Sequence, residues 1–350
     1  MPARAIVVLA VVTALPLMPA AVAAPPVGAP PVAAGPPARG PVRGVALGLF
    51  SEDAGWSYRP LLDEIAASGA DHVELVVPWY QADAASTTIV DHPRYTPPPA
   101  AIVAAVRDAR AAGLAVTLFP IVRLSAPRSR DEWRGTLAPR DRAAWWTSYR
   151  ARLVELAQLA AREHVAVLSV GSELSTLDGA ADRAAWVDAV AAVRRVFHGA
   201  LMYSGNWDHF REVAVYDLVD VVGLCAYFAL VDPGAPATVE DLTRGWRDWR
   251  VELERFFAPR GRAIVFTELG YRSIHGAAAA PWDEASPGVV DLDEQRRCYA
   301  AFRRVWRDAP ATLFGGVYFW NWYGWGGATS RGYTPRGKPA ADEMRAFFRR

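Results

Sequence analysis

Residues 165–205, VAVLSVGSELSTLDGAADRAAWVDAVAAVRRVFHGALMYSG, read as strand, helix, strand. VAVLSVG (165–171) is a short and almost wholly apolar run, as expected of a strand covered on both faces. Trp186, Val190, Val193 and Phe197 then recur at helical spacing, with Asp182 placed to cap that helix. The second apolar run, ALMYSG (200–205), closes the unit. Working outward, the same kind of run recurs as GVALGLF (44–50), HVELVVPW (72–79), AVTLFPIV (115–122), DVVGLCAY (220–227), AIVFTELG (263–270) and FGGVYFWNW (314–322). Amphipathic stretches separate them; Tyr149, Leu153, Leu156 and Ala160 form one such stripe, with Asp141 at its start. Residues 206–219 leave space for only a small helix. Eight alternations of strand and helix predict an α/β fold, a single (β/α)8 TIM barrel over residues 44–350. An open doubly wound sheet is the rival, but no glycine-rich phosphate loop follows any of the runs.

Composition narrows the function. The 350 residues carry 38 basic and 37 acidic side chains, without the basic excess of a nucleic-acid binder. With 52% hydrophobic residues the chain has ample surface to bury, which excludes a disordered protein. Arg4, the apolar stretch from Ala5 to Leu17 and Ala21-Val22-Ala23 together predict a secretory signal peptide over residues 1–23. Residues 24–43 hold seven prolines and read as a semi-rigid linker. The mature protein is therefore expected in the periplasm or outside the cell, as a monomer with no membrane span. Cys225 and Cys298 are far apart in sequence; a disulfide and two buried thiols are both open.

In a barrel the C-terminal ends of the strands face the active site. The fourth run ends Gly171-Ser172-Glu173-Leu174 and the seventh Thr267-Glu268-Leu269-Gly270. Each sets one carboxylate into apolar sequence, where a free charge is costly unless paired or used. Arginine partners are abundant, since Lys338 is the only lysine among the 38 basic residues. Two carboxylates at matched strand ends favour function over two structural ion pairs. Such a pair is what glycosidic cleavage requires: one protonated to assist the leaving oxygen, one ionised to attack or to activate water. The remaining ends offer Trp79 and Gln81, Asn206 and Trp207, Tyr227, and Trp320. Aromatic faces stack on pyranose rings while amides meet hydroxyls, so these residues suit a sugar cleft. Trp145, Trp146 and Trp186 lie inside helical patterns and read as core. Arg123 and Arg272 fit either a ligand carboxylate or loop support. The six histidines show no ligand spacing, so no metal site is expected.

With these motifs in place, the chain from Gly44 onward resembles glycoside hydrolase family 113, in the large clan of (β/α)8 retaining glycosidases. The segments that carry the likeness are VPWYQADAASTTI (77–89), WRG (133–135), SVGSELS (169–175), YSGNWD (203–208), GLCAYFAL (223–230), FTELGYRS (266–273) and GVYFWNW (316–322). The resemblance implies Glu173 as acid/base, Glu268 as nucleophile, and Tyr227 as a hydrogen-bond donor to that nucleophile. It implies Trp320 as the platform under the sugar before the cut, β-1,4-mannan or manno-oligosaccharide as substrate, and no cofactor. Ser172 stands where most of the clan carry an asparagine that binds the sugar 2-hydroxyl. Trp79, Gln81, Asn206 and Trp207 are further substrate candidates. Two alternatives accompany this reading: a retaining β-glycosidase for glucan or xylan, and a secreted glycan-binding barrel without turnover.

Overall fold

The computed structural model describes residues 40–349. The expected signal peptide and most of the linker lie outside them. Eight parallel strands close into a barrel in chain order, β1 Val42–Gly48, β2 His72–Gln81, β3 Ala115–Leu124, β4 Val167–Ser172, β5 Ala200–Gly205, β6 Val221–Cys225, β7 Ile264–Leu269 and β8 Phe314–Phe319. β1 pairs with β8, Val42 opposite Gly316, and closes the ring. The barrel thus starts two residues before Gly44. Arg43 holds that start: its Nε meets Asp71 Oδ2 at 2.9 Å and its Nη1 donates to Phe348 O.

Among the described residues seven helices surround the strands: α1 Arg59–Ala67, α2 Pro99–Ala111, α3 Arg142–Arg162, α4 Arg183–Arg194, α5 Val239–Phe257, α6 Leu292–Trp306 and α7 Ala340–Phe348. Between β5 and β6 there is only a 3-10 turn, Tyr216–Leu218, as the short connector requires. Asp141 caps α3 by accepting from the Ala144 amide at 2.9 Å. Asp182 precedes α4 but does not cap it. Its carboxylate takes Arg142 Nε and Trp146 Nε1 instead, which ties α3 to α4.

Strand alternation divides the apolar side chains between two cores. Ala46, Val76, Phe119, Ile121, Met202, Val265 and Tyr318 cluster inside the barrel. The larger cluster lies between strands and helices, where Trp145, Trp146, Tyr149 and Trp186 pack together. Each such ring pair adds about 0.5–1.5 kcal/mol beyond the area it buries. Gly171 is required there: a Cβ would stand 2.9 Å from Tyr149 Oη and 3.0 Å from Trp186. Both cysteines are buried and free, Cys225 at the end of β6 and Cys298 on α6. No helix among the described residues is long and apolar enough to cross a membrane.

Candidate active site

Glu173 follows β4 with φ of 52°, in the left-handed region. That conformation costs a residue with a side chain about 1–2 kcal/mol. Neighbouring strand β5 holds it: the Glu173 amide donates to Ser204 O at 2.8 Å and the Leu174 amide to Tyr203 Oη at 3.3 Å. Glu268 is the penultimate residue of β7, and its carbonyl accepts from the Ala226 amide at 2.7 Å. Both side chains are almost wholly buried. A carboxylate oxygen of each and the Sγ of Cys225 lie within 4.8 Å of one another. The halves of the chain therefore converge on one spot at the C-terminal mouth of the barrel.

Three groups condition this pair. Tyr227 Oη donates to Glu268 Oε2 at 2.8 Å. The Arg134 guanidinium, from the loop between β3 and α3, pairs with Glu173 Oε2 through Nη2, and the same nitrogen is 3.8 Å from Glu268 Oε1. Cys225 forms the floor with Ser172, Ser204 and Thr267, whose hydroxyls lie 3.3–3.8 Å from its sulfur. Burial, then the negative charge of Glu173, pushes the Glu268 carboxyl up to about 7, against the opposing pull of Arg134 and Tyr227. Deeper in the barrel, Glu74 is fully buried and neither of its oxygens has a partner. Desolvation pushes that carboxyl well up, so it is held as the neutral acid.

The Glu268 shift has a consequence for stability. The folded protein keeps this proton through a window, from the ordinary carboxylate range near 4.5 to about 7, in which the unfolded chain has released it. The folded state binds more protons there, so its stability falls as pH rises through the window. Glu268→Gln removes the titration. Its melting temperature should exceed the wild-type value by a few degrees at neutral pH, and the gap should shrink toward pH 4.5, as read by calorimetry.

The other residues anticipated from sequence divide. Trp320, directly after β8, packs against the barrel interior, and its amide donates to Leu269 O at 2.8 Å. Its approach to β7 is close enough that a Cβ on Gly270 would stand 2.7 Å from Trp320 O. Ser172 lies beneath the pair, with its Oγ 3.7 Å from Cys225 Sγ. Asn206 uses its amide locally, donating to Asp208 Oδ1 and accepting from the Trp207 amide, both at 2.9 Å. Trp207 is half-buried and stacks on Trp282 at 4.7 Å.

Trp79 and Gln81 are corrections. Val76 faces the barrel interior, so with a period of two Trp79 and Gln81 face the helices. Trp79 is 2% exposed and packs edge-on against Tyr149. Gln81 is fully buried, with its Oε1 accepting from Trp145 Nε1 at 2.8 Å. Arg272 serves loop support, donating to Asp283 O and Ser286 O. Arg123 lies over the Phe50 ring at 5.9 Å. His275, Asp291 and Glu294 also converge, but Glu294 already accepts from the Gly276 and Ala278 amides and Asp291 caps α6.

Arg134 was not singled out from the sequence, although WRG (133–135) is one of the quoted segments. With so many arginines, nothing local distinguished it. Trp282, 45% exposed on the β7–α6 loop, was missed because Trp-Asp in a loop has no periodic signature.

The sequence profile of Glycoside Hydrolase Family 113 matches residues 49–330. The chain belongs to glycoside hydrolase family 113. It is thus a glycoside hydrolase. Among solved structures it is similar to the family 113 β-mannanase AaManA from Alicyclobacillus acidocaldarius, solved with ManMIm. The two are 27% identical, with 88% of this chain and 97% of that one covered and a TM-score of 0.77. A family 113 β-1,4-mannanase complex, 18% identical, covers 88% and 99% with a TM-score of 0.75 and shares the fold. So does a subfamily 5_18 glycoside hydrolase variant from Streptomyces cattleya, solved with Manβ1-4GlcNAc, at 16% identity, 88% and 80% coverage and a TM-score of 0.60. No curated protein matches the chain.

Proposed function

We propose that this family 113 enzyme hydrolyses β-1,4-mannosidic linkages inside mannan or manno-oligosaccharides, with retention of configuration. The observation that supports the mechanism is the convergence of the two carboxylates, whose nearest oxygens lie within 4.8 Å of each other and share Arg134 Nη2. Retaining enzymes hold their carboxyl groups about 5–5.5 Å apart, whereas inverting ones need roughly 6.5–9.5 Å for an intervening water. Glu268 attacks the anomeric carbon, with Tyr227 orienting its Oε2. Glu173 gives its proton to the departing oxygen, then takes one from the water that releases the product. Mannose as the sugar is supported by the likeness to AaManA. Export follows from the leader expected over residues 1–23, and the reaction needs no cofactor.

Cleavage within a chain is supported by the leaving-group side of the mouth. Glu173 is hydrogen-bonded to β5, and Trp207 emerges just after that strand. Trp282 stacks on Trp207, which is braced edge-on by Phe228 and Trp249, so one indole face is backed and rigid. A flat, half-exposed ring at the same end of the barrel as the carboxylates suits a further sugar. Mannan should therefore be cut to oligosaccharides of mixed length, with glucan and xylan left intact in a product-analysed panel. Trp282→Ala should lower kcat/KM on mannan about tenfold and leave an aryl mannoside nearly unaffected. Release of mannose alone from chain ends, or hydrolysis of glucan instead, contradicts the reading.

A further inference from the structure

We propose that a groove on the outer flank of the barrel, between α1 and α7, holds a stretch of the polysaccharide away from the cleft where it is cut. The inference rests on the mannan reading above and adds a second place of contact that reading does not contain.

The groove encloses about 470 Å3. Glu64 and Ser68 line it from α1 and its C-cap, Arg345 from α7, and Trp322, Trp325 and Arg336 from the loop that joins β8 to α7. None of the residues around the carboxylate pair takes part. α1 carries the chain from the mouth back to the start of β2, so Ser68 at its end lies toward the opposite end of the barrel.

The aromatic wall of the groove is held in place. Trp325 is 87% exposed, the most of any large apolar residue described. Such exposure is unusual for an indole, whose large apolar area is mostly buried in folded proteins. The turn that presents it is clamped by Arg336. The Arg336 carbonyl accepts from the Gly327 amide at 3.0 Å, and its Nη1 donates to Gly324 O at 3.1 Å. Its Nη2 and Nε reach the two oxygens of Glu64 at 2.5 and 2.6 Å, and Trp322 Nε1 donates to the same carboxylate at 2.9 Å. Gly326 has a φ of 65°, and a Cβ there would stand 1.9 Å from Arg336 O, so the turn accepts only glycine. A ligand that stacks on Trp325 therefore meets a ring whose backbone is already ordered.

The surroundings select the ligand. A stable protein partner covers roughly 800 Å2 of each surface around an apolar centre. Here Trp325 is the one large apolar side chain exposed in the groove among the described residues. Charge does not favour an anion either, because Glu64 is paired with Arg336 and Asp342 with Arg345. What remains is a bare indole beside hydrogen-bonding groups. Arg345 gives Nη1 to Asp342 at 2.7 Å, and no partner among the described residues takes its Nε or Nη2. The Arg336 hydrogen bond holds the Glu64 carboxyl below the usual range, so it stays an acceptor. An apolar ring face with donors and acceptors at its edge is the complement of a neutral pyranose. A polymer held there meets the cleft at a raised effective concentration, whereas a short oligosaccharide gains nothing.

The test compares wild type and Trp325→Ala on soluble mannan and on mannotetraose. Trp325→Ala should lower kcat/KM on mannan about three- to tenfold and change it less than about twofold on mannotetraose. In native gels cast with mannan, the dissociation constant read from retardation should rise at least about threefold, with Trp325→Phe falling between. Melting temperatures show that both variants fold. Unchanged mannan hydrolysis and retardation in folded Trp325→Ala overturn the groove alone. Equal losses on mannan and mannotetraose place Trp325 in the cleft and overturn it as well. A wild type active on no glycoside overturns the mannan reading, and the named occupant of the groove with it.

Discussion

Glu268→Ala should lose at least about four orders of magnitude in kcat on mannan while its affinity for manno-oligosaccharides stays within a few-fold of wild type. The loss is that large because Glu268 is asked to form a bond to carbon, and no neighbouring group can do so. Tyr227 touches only its Oε2, Cys225 is a neutral buried thiol, and Glu74 is sealed beneath. Removing the side chain also opens a small cavity toward the Arg134 guanidinium, whose Nη2 lies 3.8 Å from Glu268 Oε1. Azide or formate should enter there and restore part of the rate on an activated aryl mannoside, with the product of opposite anomeric configuration. Kinetics with and without formate, followed by chiral analysis of the glycosyl product, checks this. Near-normal turnover of the variant on mannan would place the nucleophile elsewhere.

Glu173→Ala should behave differently, because its role depends on the leaving group. On mannan, where a sugar alkoxide must depart, kcat should fall about a hundred- to ten-thousandfold. On a dinitrophenyl mannoside the first step needs no acid, so attack by Glu268 proceeds and the covalent intermediate accumulates. A rapid burst of dinitrophenol followed by a slow steady rate is the expected trace, and azide should speed the slow phase. Equal losses on both substrates, without a burst, would mean that Glu173 serves only to hold Arg134.

Much of this site was legible because the barrel has a simple grammar. Eight apolar runs with helices between them allow few closed solutions, and the ends of runs four and seven each carried one glutamate. The same argument set Tyr227 and Trp320 at strand ends, while their roles came only from the family resemblance; the structure has Tyr227 donating to Glu268 Oε2. Trp79 and Gln81 did not, since position along a strand says nothing about which face a side chain takes. A single step in the period of two decides between sugar cleft and helical core. In HVELVVPW both faces are apolar, and the alternation that would have settled it is absent. Asn206 shows another limit: an amide at a strand end serves its own turn as readily as a ligand. Arg134 was hidden because its role depends on a loop whose anchors are backbone hydrogen bonds to residues 82–85, and sequence patterning does not report these.

The most direct measurement is the location of a trapped sugar. The enzyme is incubated with a 2-deoxy-2-fluoro mannosyl fluoride, digested, and mapped by mass spectrometry. The expected result is one fluoromannosyl group per chain, on the peptide containing FTELGYRS and esterified at Glu268. Continued mannan hydrolysis with no adduct, and a first-formed product of inverted configuration, would contradict double displacement at this pair.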